Sequence, residues 1–300
     1  MTLRAGFVGL GAMGLGMARN LHKQNLLSAV WNRTPAKAQA LAQETGCTAV
    51  AKVADVAPLS DIIVMCVSAD ADVLEVIDAI APALRPGTIV IDCSTVSADT
   101  ARSAAHKLRA HHAQFLDAPV SGGTEGARDG TLAIMVGGDA QAFERALPVM
   151  QAMGRTVTHF GASGAGQAAK ATNQIMCAGV IQAVAEAMAF AKSEQLPLDK
   201  LIETLGKGAG SSWYFVNRAP NIVRGSFPPG FRVRLHEKDL KICREMAASR
   251  GVQLPVIEMT LLHYRRLIEQ GFGDEDISSL YRIKAALFDE ARAAGRSSAS

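Results

Sequence analysis

Three hundred residues, 49% hydrophobic and 20% charged, allow one large or two ordinary globular domains with a substantial core and exclude a chain disordered beyond its ends. The 31 basic and 28 acidic residues leave a formal charge of +3, too small and too dispersed to imply a nucleic-acid or anionic-membrane partner; small anions stay open as ligands. Five cysteines, Cys47, Cys66, Cys93, Cys177 and Cys243, show neither metal spacing nor even pairing, so no disulfide framework or metal centre is expected and a reducing cytoplasm fits.

The chain begins Met1-Thr2-Leu3-Arg4 and enters a strand pattern at once, with no charged leader, apolar h-region or cleavage site, so no export signal is expected. The run Arg4-Ala5-Gly6-Phe7-Val8 leads into Gly9-Leu10-Gly11-Ala12-Met13-Gly14, and a helical pattern follows from Leu15 to Leu21. This is a dinucleotide fingerprint in strand–turn–helix context. Gly9 permits the tight turn, Gly11 lets backbone approach a pyrophosphate and Gly14 lets helix and strand pack closely, so Gly9, Gly11, Ala12, Met13 and Gly14 are expected at the cofactor.

A second apolar run, Leu26 to Trp31, ends at Asn32, where an NAD-preferring site usually carries Asp or Glu for the ribose 2′-hydroxyl. Arg33 and Thr34 follow. A guanidinium and a hydroxyl suit a 2′-phosphate, so Asn32, Arg33 and Thr34 point to NADP(H), with NAD(H) possible. The plainer alternative is a glycine turn beside a solvated arginine.

Further strand candidates are Asp61–Val67, Thr88–Asp92, Gln114–Asp117, Leu132–Val136 and Thr156–Phe160, alternating with helical patterns. That order predicts an α/β fold with an N-terminal doubly wound parallel sheet of Rossmann type. Thr34-Pro35 announces the helix after the second strand and Gly46 its end. After Gly161-Ala162-Ser163-Gly164-Ala165-Gly166 no further β-rich run occurs, which divides the chain into a dinucleotide domain, 1–162, and a C-terminal all-α domain, 163–300. Gln167 to Gln195 reads as a long central helix. Its most apolar part, Ile175 to Ala191, carries Gln182 and Glu186 and is shorter than the roughly 20 residues a membrane span needs. Pro197, the Gly206 to Gly210 stretch, Pro220 and Phe227-Pro228-Pro229-Gly230 break later helices, and Gly295 to Ser300 reads as a frayed polar tail.

Three clusters carry chemistry. In Asp117-Ala118-Pro119-Val120-Ser121-Gly122-Gly123-Thr124-Glu125-Gly126-Ala127, glycines after a Ser at a strand's carboxyl end can form an anion nest, or simply a loop. In Gly164-Ala165-Gly166-Gln167-Ala168-Ala169-Lys170-Ala171-Thr172-Asn173-Gln174, Lys170 and Asn173 share one helical face in small, apolar company, where a desolvated lysine suits acid/base work and a solvated one is the ordinary alternative. Phe231-Arg232-Val233-Arg234-Leu235-His236-Glu237-Lys238-Asp239-Leu240 could equally be a charged helix start. Adjacent His111-His112 read as solvated, and no histidine pair has metal-ligand spacing.

The order and spacing of the glycine turn, Ser94-Thr95, the Ser121-Gly122-Gly123 loop, the Gly164–Asn173 segment and Lys238-Asp239-Leu240 closely resemble the β-hydroxyacid dehydrogenases, over nearly the whole chain. The family includes 3-hydroxyisobutyrate dehydrogenases and tartronate semialdehyde (2-hydroxy-3-oxopropionate) reductases. The resemblance implies a Rossmann domain joined to a helical substrate and dimerisation domain, a small carboxylate substrate, and a homodimer or homotetramer. It makes Lys170 the acid/base with Asn173 orienting it, Ser121, Gly122 and Gly123 the carboxylate holders, Phe231 and Asp239 substrate-side groups, and Thr95, Lys238 and the Cys66-Val67 loop cofactor contacts. Val67-Ser68 departs from the family's usual Leu-Pro there, while Gln174 and Arg234 to Leu240 look closer to the tartronate semialdehyde branch. Rival readings are an imine reductase-like enzyme of the same fold, which generally lacks the lysine, and a non-catalytic dinucleotide sensor. Trp213 and Tyr214 could line a pocket or pack an interface.

Overall fold

The computed structural model describes residues 3–297, with side chains placed through Asp289. The chain forms two compact units dividing between Lys170 and Ala171. That division falls inside a helix, after the Gly-rich segment where the β-rich run ends.

In the first unit β1 (Ala5–Val8), β4 (Ile62–Met65) and β5 (Ile89–Asp92) are buried along their whole length, as strands covered on both faces must be. With β2 (Leu27–Trp31), β3 (Thr48–Ala49) and β6 (Gln114–Asp117) they pair in parallel in the order β3-β2-β1-β4-β5-β6. The helices α1 (Gly14–Lys23) and α6 (Ala140–Met153) close one face, and α3 (Asp70–Ile80) and α4 (Ala98–Arg109) the other. Helix α2 (Pro35–Thr45) starts on Pro35 and ends at left-handed Gly46, φ +75°, as the sequence predicts.

The doubly wound parallel sheet carries an antiparallel part at one edge. β8 (Leu132–Gly138) runs antiparallel to β6 and to β7 (Val120–Ser121), and only β9 (Gly154–Gly161) continues parallel beside it. A parallel return needs a long crossover. Here the chain after β6 turns through Gly122 and Gly123, at φ +133° and +66°, into the short α5 (Gly123–Asp129) and re-enters reversed.

The second unit is helical. The helix α7 (Ala165–Ser193) begins in the first unit and supplies the spine of the second, whose core gathers Ile181, Val184, Met188, Phe215, Leu240 and Tyr264. By length and composition α7 could cross a membrane, and half of its most apolar window is buried in protein. Helices α8 (Leu198–Leu205), α9 (Trp213–Arg224), α10 (Val233–Ala248), α11 (Pro255–Glu269) and α12 (Tyr281–Ser297) complete it. The tail expected to fray from Gly295 is helical through Ser297, and 298–300 lie outside the described residues.

Candidate active site

The glycine turn is shaped by contacts that leave no room for side chains. Gly9 sits at φ +95°, and a Cβ there would lie 2.3 Å from the Cys66 carbonyl oxygen; one on Gly14 would lie 1.9 Å from the Gly9 oxygen. Gly11 differs, because a Cβ there would meet nothing within 4 Å. The open space at Gly11 and exposed Ala12, beside half-buried Met13 at the N-terminal end of α1, fits a dinucleotide pyrophosphate. Gly16, one turn on, packs against the backbone of α5, where a Cβ would come within 2.8 Å of the Ala127 carbonyl. Asn20 Nδ2 donates to that same carbonyl at 2.7 Å.

At the end of β2, Asn32 has a task of its own. Its Oδ1 accepts the Leu10 N–H at 2.8 Å and its Nδ2 donates to the Thr34 carbonyl at 3.0 Å, so its amide braces the glycine turn. Arg33 and Thr34 are exposed beside it. The Arg33 guanidinium, 77% exposed, lies 3.1 Å from Asp72 in the first turn of α3.

The loops leaving β4 and β5 are tied together. The Val67 N–H donates to Ser94 Oγ at 2.9 Å, and the Ser94 N–H donates to Asp92 at 2.9 Å. Cys66 and Val67 are half-buried there, as is Thr95. Asp70 accepts the Ser97 N–H at 2.9 Å and the Thr100 hydroxyl at 2.6 Å. Burial works against its charge, but the bonds from Thr100 and Ser97 outweigh it and hold the carboxyl below its ordinary range.

Lys170 is 7% exposed, and its Nζ donates to the Val120 carbonyl at 2.9 Å, immediately before Ser121-Gly122-Gly123. The helix carrying it is anchored by Asp117, which is fully buried and accepts the N–H groups of Gly164 at 2.7 Å and Gln167 at 3.0 Å. Burial pushes the Asp117 carboxyl above its ordinary range, and these amides offset only part of the shift. The first unit therefore gathers Lys170, the Ser121–Gly123 loop, the Thr95 loop and the glycine turn at the carboxyl ends of its strands.

In the second unit, Asn173 Nδ2 donates to Gln174 Oε1 at 2.9 Å, Gln174 Nε2 donates to Asp239 at 2.8 Å, and Lys238 Nζ lies 3.2 Å from that carboxylate. Asn173, Lys238 and Asp239 thus form one chain of polar contacts. The Phe231 ring packs on buried His236, whose Nδ1 is 2.8 Å from the Tyr264 hydroxyl. Asp276, not singled out in the sequence, takes the Gly230 and Phe231 N–H groups at 3.2 and 3.0 Å and so fixes the loop carrying Phe231. Trp213 is exposed beneath the Arg218 guanidinium, whereas the Tyr214 hydroxyl is buried, makes no hydrogen bond among the described residues, and is pushed well above the ordinary phenol range by burial. His111 and His112 are exposed, and no group of three or more His, Cys, Asp or Glu side chains among the described residues is arranged to hold a metal ion.

A doubly wound sheet with a glycine turn on its first strand, feeding a helical unit through one long helix, defines a nicotinamide-dinucleotide oxidoreductase. A profile for the NAD binding domain of 6-phosphogluconate dehydrogenase matches residues 4–161, and one described as "NAD-binding of NADP-dependent 3-hydroxyisobutyrate dehydrogenase" matches residues 164–284. An uncharacterized oxidoreductase of Synechocystis is 41% identical over 283 residues, covering 92% of this chain and 96% of the relative. The 2-hydroxy-3-oxopropionate reductase of Escherichia coli is 35% identical over 256 residues, covering 84% and 87%. A 3-hydroxyisobutyrate dehydrogenase of Mycobacterium tuberculosis, solved with L-serine, superposes with a TM-score of 0.87 at 30% identity, covering 94% of this chain and 99% of that one. The chain belongs to the β-hydroxyacid dehydrogenase family of NAD(P)-dependent enzymes.

Proposed function

We propose that this enzyme interconverts a small β-hydroxy acid and its semialdehyde with NADP(H), using Lys170 as the acid/base. The observation that carries the reading is the buried Lys170 ammonium bound to the Val120 carbonyl, one residue before the Ser-Gly-Gly loop. A proton donor is thereby held next to a turn whose glycines, at φ +133° and +66°, free backbone N–H groups for a carboxylate. When bound, the nicotinamide dinucleotide supplies the hydride for the carbonyl carbon, or accepts it in the reverse direction. Ser121, Gly122 and Gly123 hold the substrate carboxylate, which fixes the reacting carbon, and Lys170 gives its proton to the developing alkoxide. In oxidation Lys170 takes that proton back. We assign substrate contact to Asn173, Phe231 and Asp239, and cofactor contact to Lys238, Thr95, Cys66 and Val67.

Arg33 and Thr34 support NADP(H), since a guanidinium and a hydroxyl face solvent where a 2′-phosphate would be recognised. The link from Gln174 to Asp239 supports the tartronate semialdehyde branch, because Gln174 is the residue that marks the chain's likeness to it. We further propose that a second copy of the chain covers the exposed apolar residues Met176 and Phe190 of α7 and Val256, Met259 and Leu262 of α11, giving a homodimer or homotetramer. Light scattering of the purified protein tests this, and a monomer at assay concentration would overturn it.

The reaction is tested with tartronate, succinic and methylmalonate semialdehydes, glyoxylate, serine and 3-hydroxyisobutyrate, each with both cofactors. Turnover of at least one free acid with NADP(H) is expected, at a kcat/KM well above that of its methyl ester. Equal turnover of acid and ester would remove the Ser121–Gly123 loop from carboxylate binding.

A further inference from the structure

Gln167 lies one helical turn before Lys170 on α7 and is 1% exposed. Its Oε1 accepts the Val96 N–H at 3.2 Å and its Nε2 donates to the Ser94 carbonyl at 2.8 Å. One side-chain amide therefore bonds the residues on either side of Thr95. Its backbone N–H is held in turn by Asp117, and Ser94 Oγ carries the Val67 N–H, so the bonds of Gln167 reach the β4, β5 and β6 ends of the sheet. A methionine would fill the same volume without burying polar atoms, and an asparagine would be one methylene too short to reach both peptide groups. Only an amide of this length can donate and accept across that span.

We propose that Gln167 is a positioning residue for hydride and proton transfer: it locks the Thr95 loop to the helix that carries Lys170, so that loop and ammonium keep a fixed spacing. The inference rests on the assignment of Thr95 to the cofactor and Lys170 to acid/base catalysis. Three residues apart, Gln167 and Lys170 point from one side of α7, with Gln167 holding the Thr95 loop and Lys170 holding Val120. Freeing the first of these attachments leaves Lys170 chemically intact but lets the loop shift, and a displacement of about 1 Å in a reacting assembly can cost on the order of 100-fold.

The test compares full-length wild type, Gln167→Met, Gln167→Glu and Lys170→Met. Gln167→Met removes donor and acceptor at similar volume; Gln167→Glu keeps the acceptor for Val96 and loses the donor to Ser94, so it serves if the first does not fold. Calorimetric affinity for 2′,5′-ADP, which carries only the adenosine end of NADP, should stay within about 2-fold of wild type. In contrast kcat should fall by about 10- to 100-fold, with KM for the aldehyde within about 3-fold. Wild-type kcat in either folded variant overturns the inference, and so does an equal loss of 2′,5′-ADP binding, which would mark a purely structural role. Lys170→Met separates the two ideas. If it keeps kcat while Gln167→Met loses it, the lysine assignment fails and Gln167 still positions the Thr95 loop; the opposite pattern keeps the lysine and discards Gln167.

Discussion

Within the first unit, the residues around Lys170 and those around Arg33 are built on different principles. At Lys170 buried side chains bond to backbone: Gln167 to the peptide groups around Thr95, Asp117 to the start of α7, Lys170 to Val120. At Arg33 a single pair of side chains, one of them 77% exposed, meets in solvent. Backbone bonded by buried groups moves only at the cost of stranded donors and acceptors, whereas an exposed ion pair contributes little and rearranges readily. With the roles proposed for Lys170 and Arg33, chemistry would sit on the rigid side and cofactor discrimination on the adjustable one, so substitutions near Lys170 should act on kcat and those near Arg33 on cofactor affinity.

The largest effect expected is at the rigid side. Lys170→Met should lower saturating kcat by about 10²–10⁴-fold while NADPH affinity, followed by fluorescence, is kept. A raised KM with kcat retained would reduce Lys170 to a binding group and erase the contrast. At the other side, Arg33→Ala should weaken NADPH by about 10-fold and leave NADH nearly unchanged, because a charge-assisted bond at so exposed a position is partly screened. A wild-type preference for NADH in kcat/KM would break the NADP assignment.

Smaller still is the effect of Asp72, whose carboxylate competes with any phosphate for the Arg33 guanidinium. Asp72→Asn should tighten 2′,5′-ADP binding by about 2- to 3-fold and leave 5′-AMP binding unchanged, a difference titration calorimetry resolves. A separate effect, on stability and not on binding, belongs to Asp70, which joins the starts of α3 and α4. Its carboxyl is held below the ordinary range in the fold, so its stabilisation is fully present above that range and is lost as pH falls below it and through the lowered folded-state value. Asp70→Ala should therefore cost about 1 kcal/mol near neutral pH, less any screening at this half-buried site, and the deficit should shrink in acid denaturation profiles. A deficit constant with pH would mean that packing, not charge, explains it.

What was legible in the sequence was local. Thr34-Pro35 and Gly46 declare themselves because their conformations are set by neighbours in the chain, and the glycine turn because its spacing falls between a strand pattern and a helix pattern. The strands β3 and β7, two residues each, leave no periodicity to read, and the reversal of β8 depends on backbone angles at Gly122 and Gly123. Asn32 was recognised by its position after β2, but its bond to Leu10 needed the third dimension. Gln167 stands in plain view within the Gly164–Asn173 segment, a polar residue among Ala and Gly, yet only its partners 71 and 73 residues away reveal what it holds. Asp276 had no signal at all, being an ordinary acidic residue until the fold brings Gly230 and Phe231 to it.

The packing of Gly16 on Ala127 has a consequence for how this enzyme could be re-engineered. With no side chain at 16, α1 and α5 touch through backbone, so the helix behind the glycine turn gauges the placement of the helix behind the Ser-Gly-Gly loop. Even an alanine at 16 would wedge the two apart and carry the loop's footing with it. Libraries that vary residues elsewhere leave this gauge untouched, whereas those that reach position 16 alter the spacing itself.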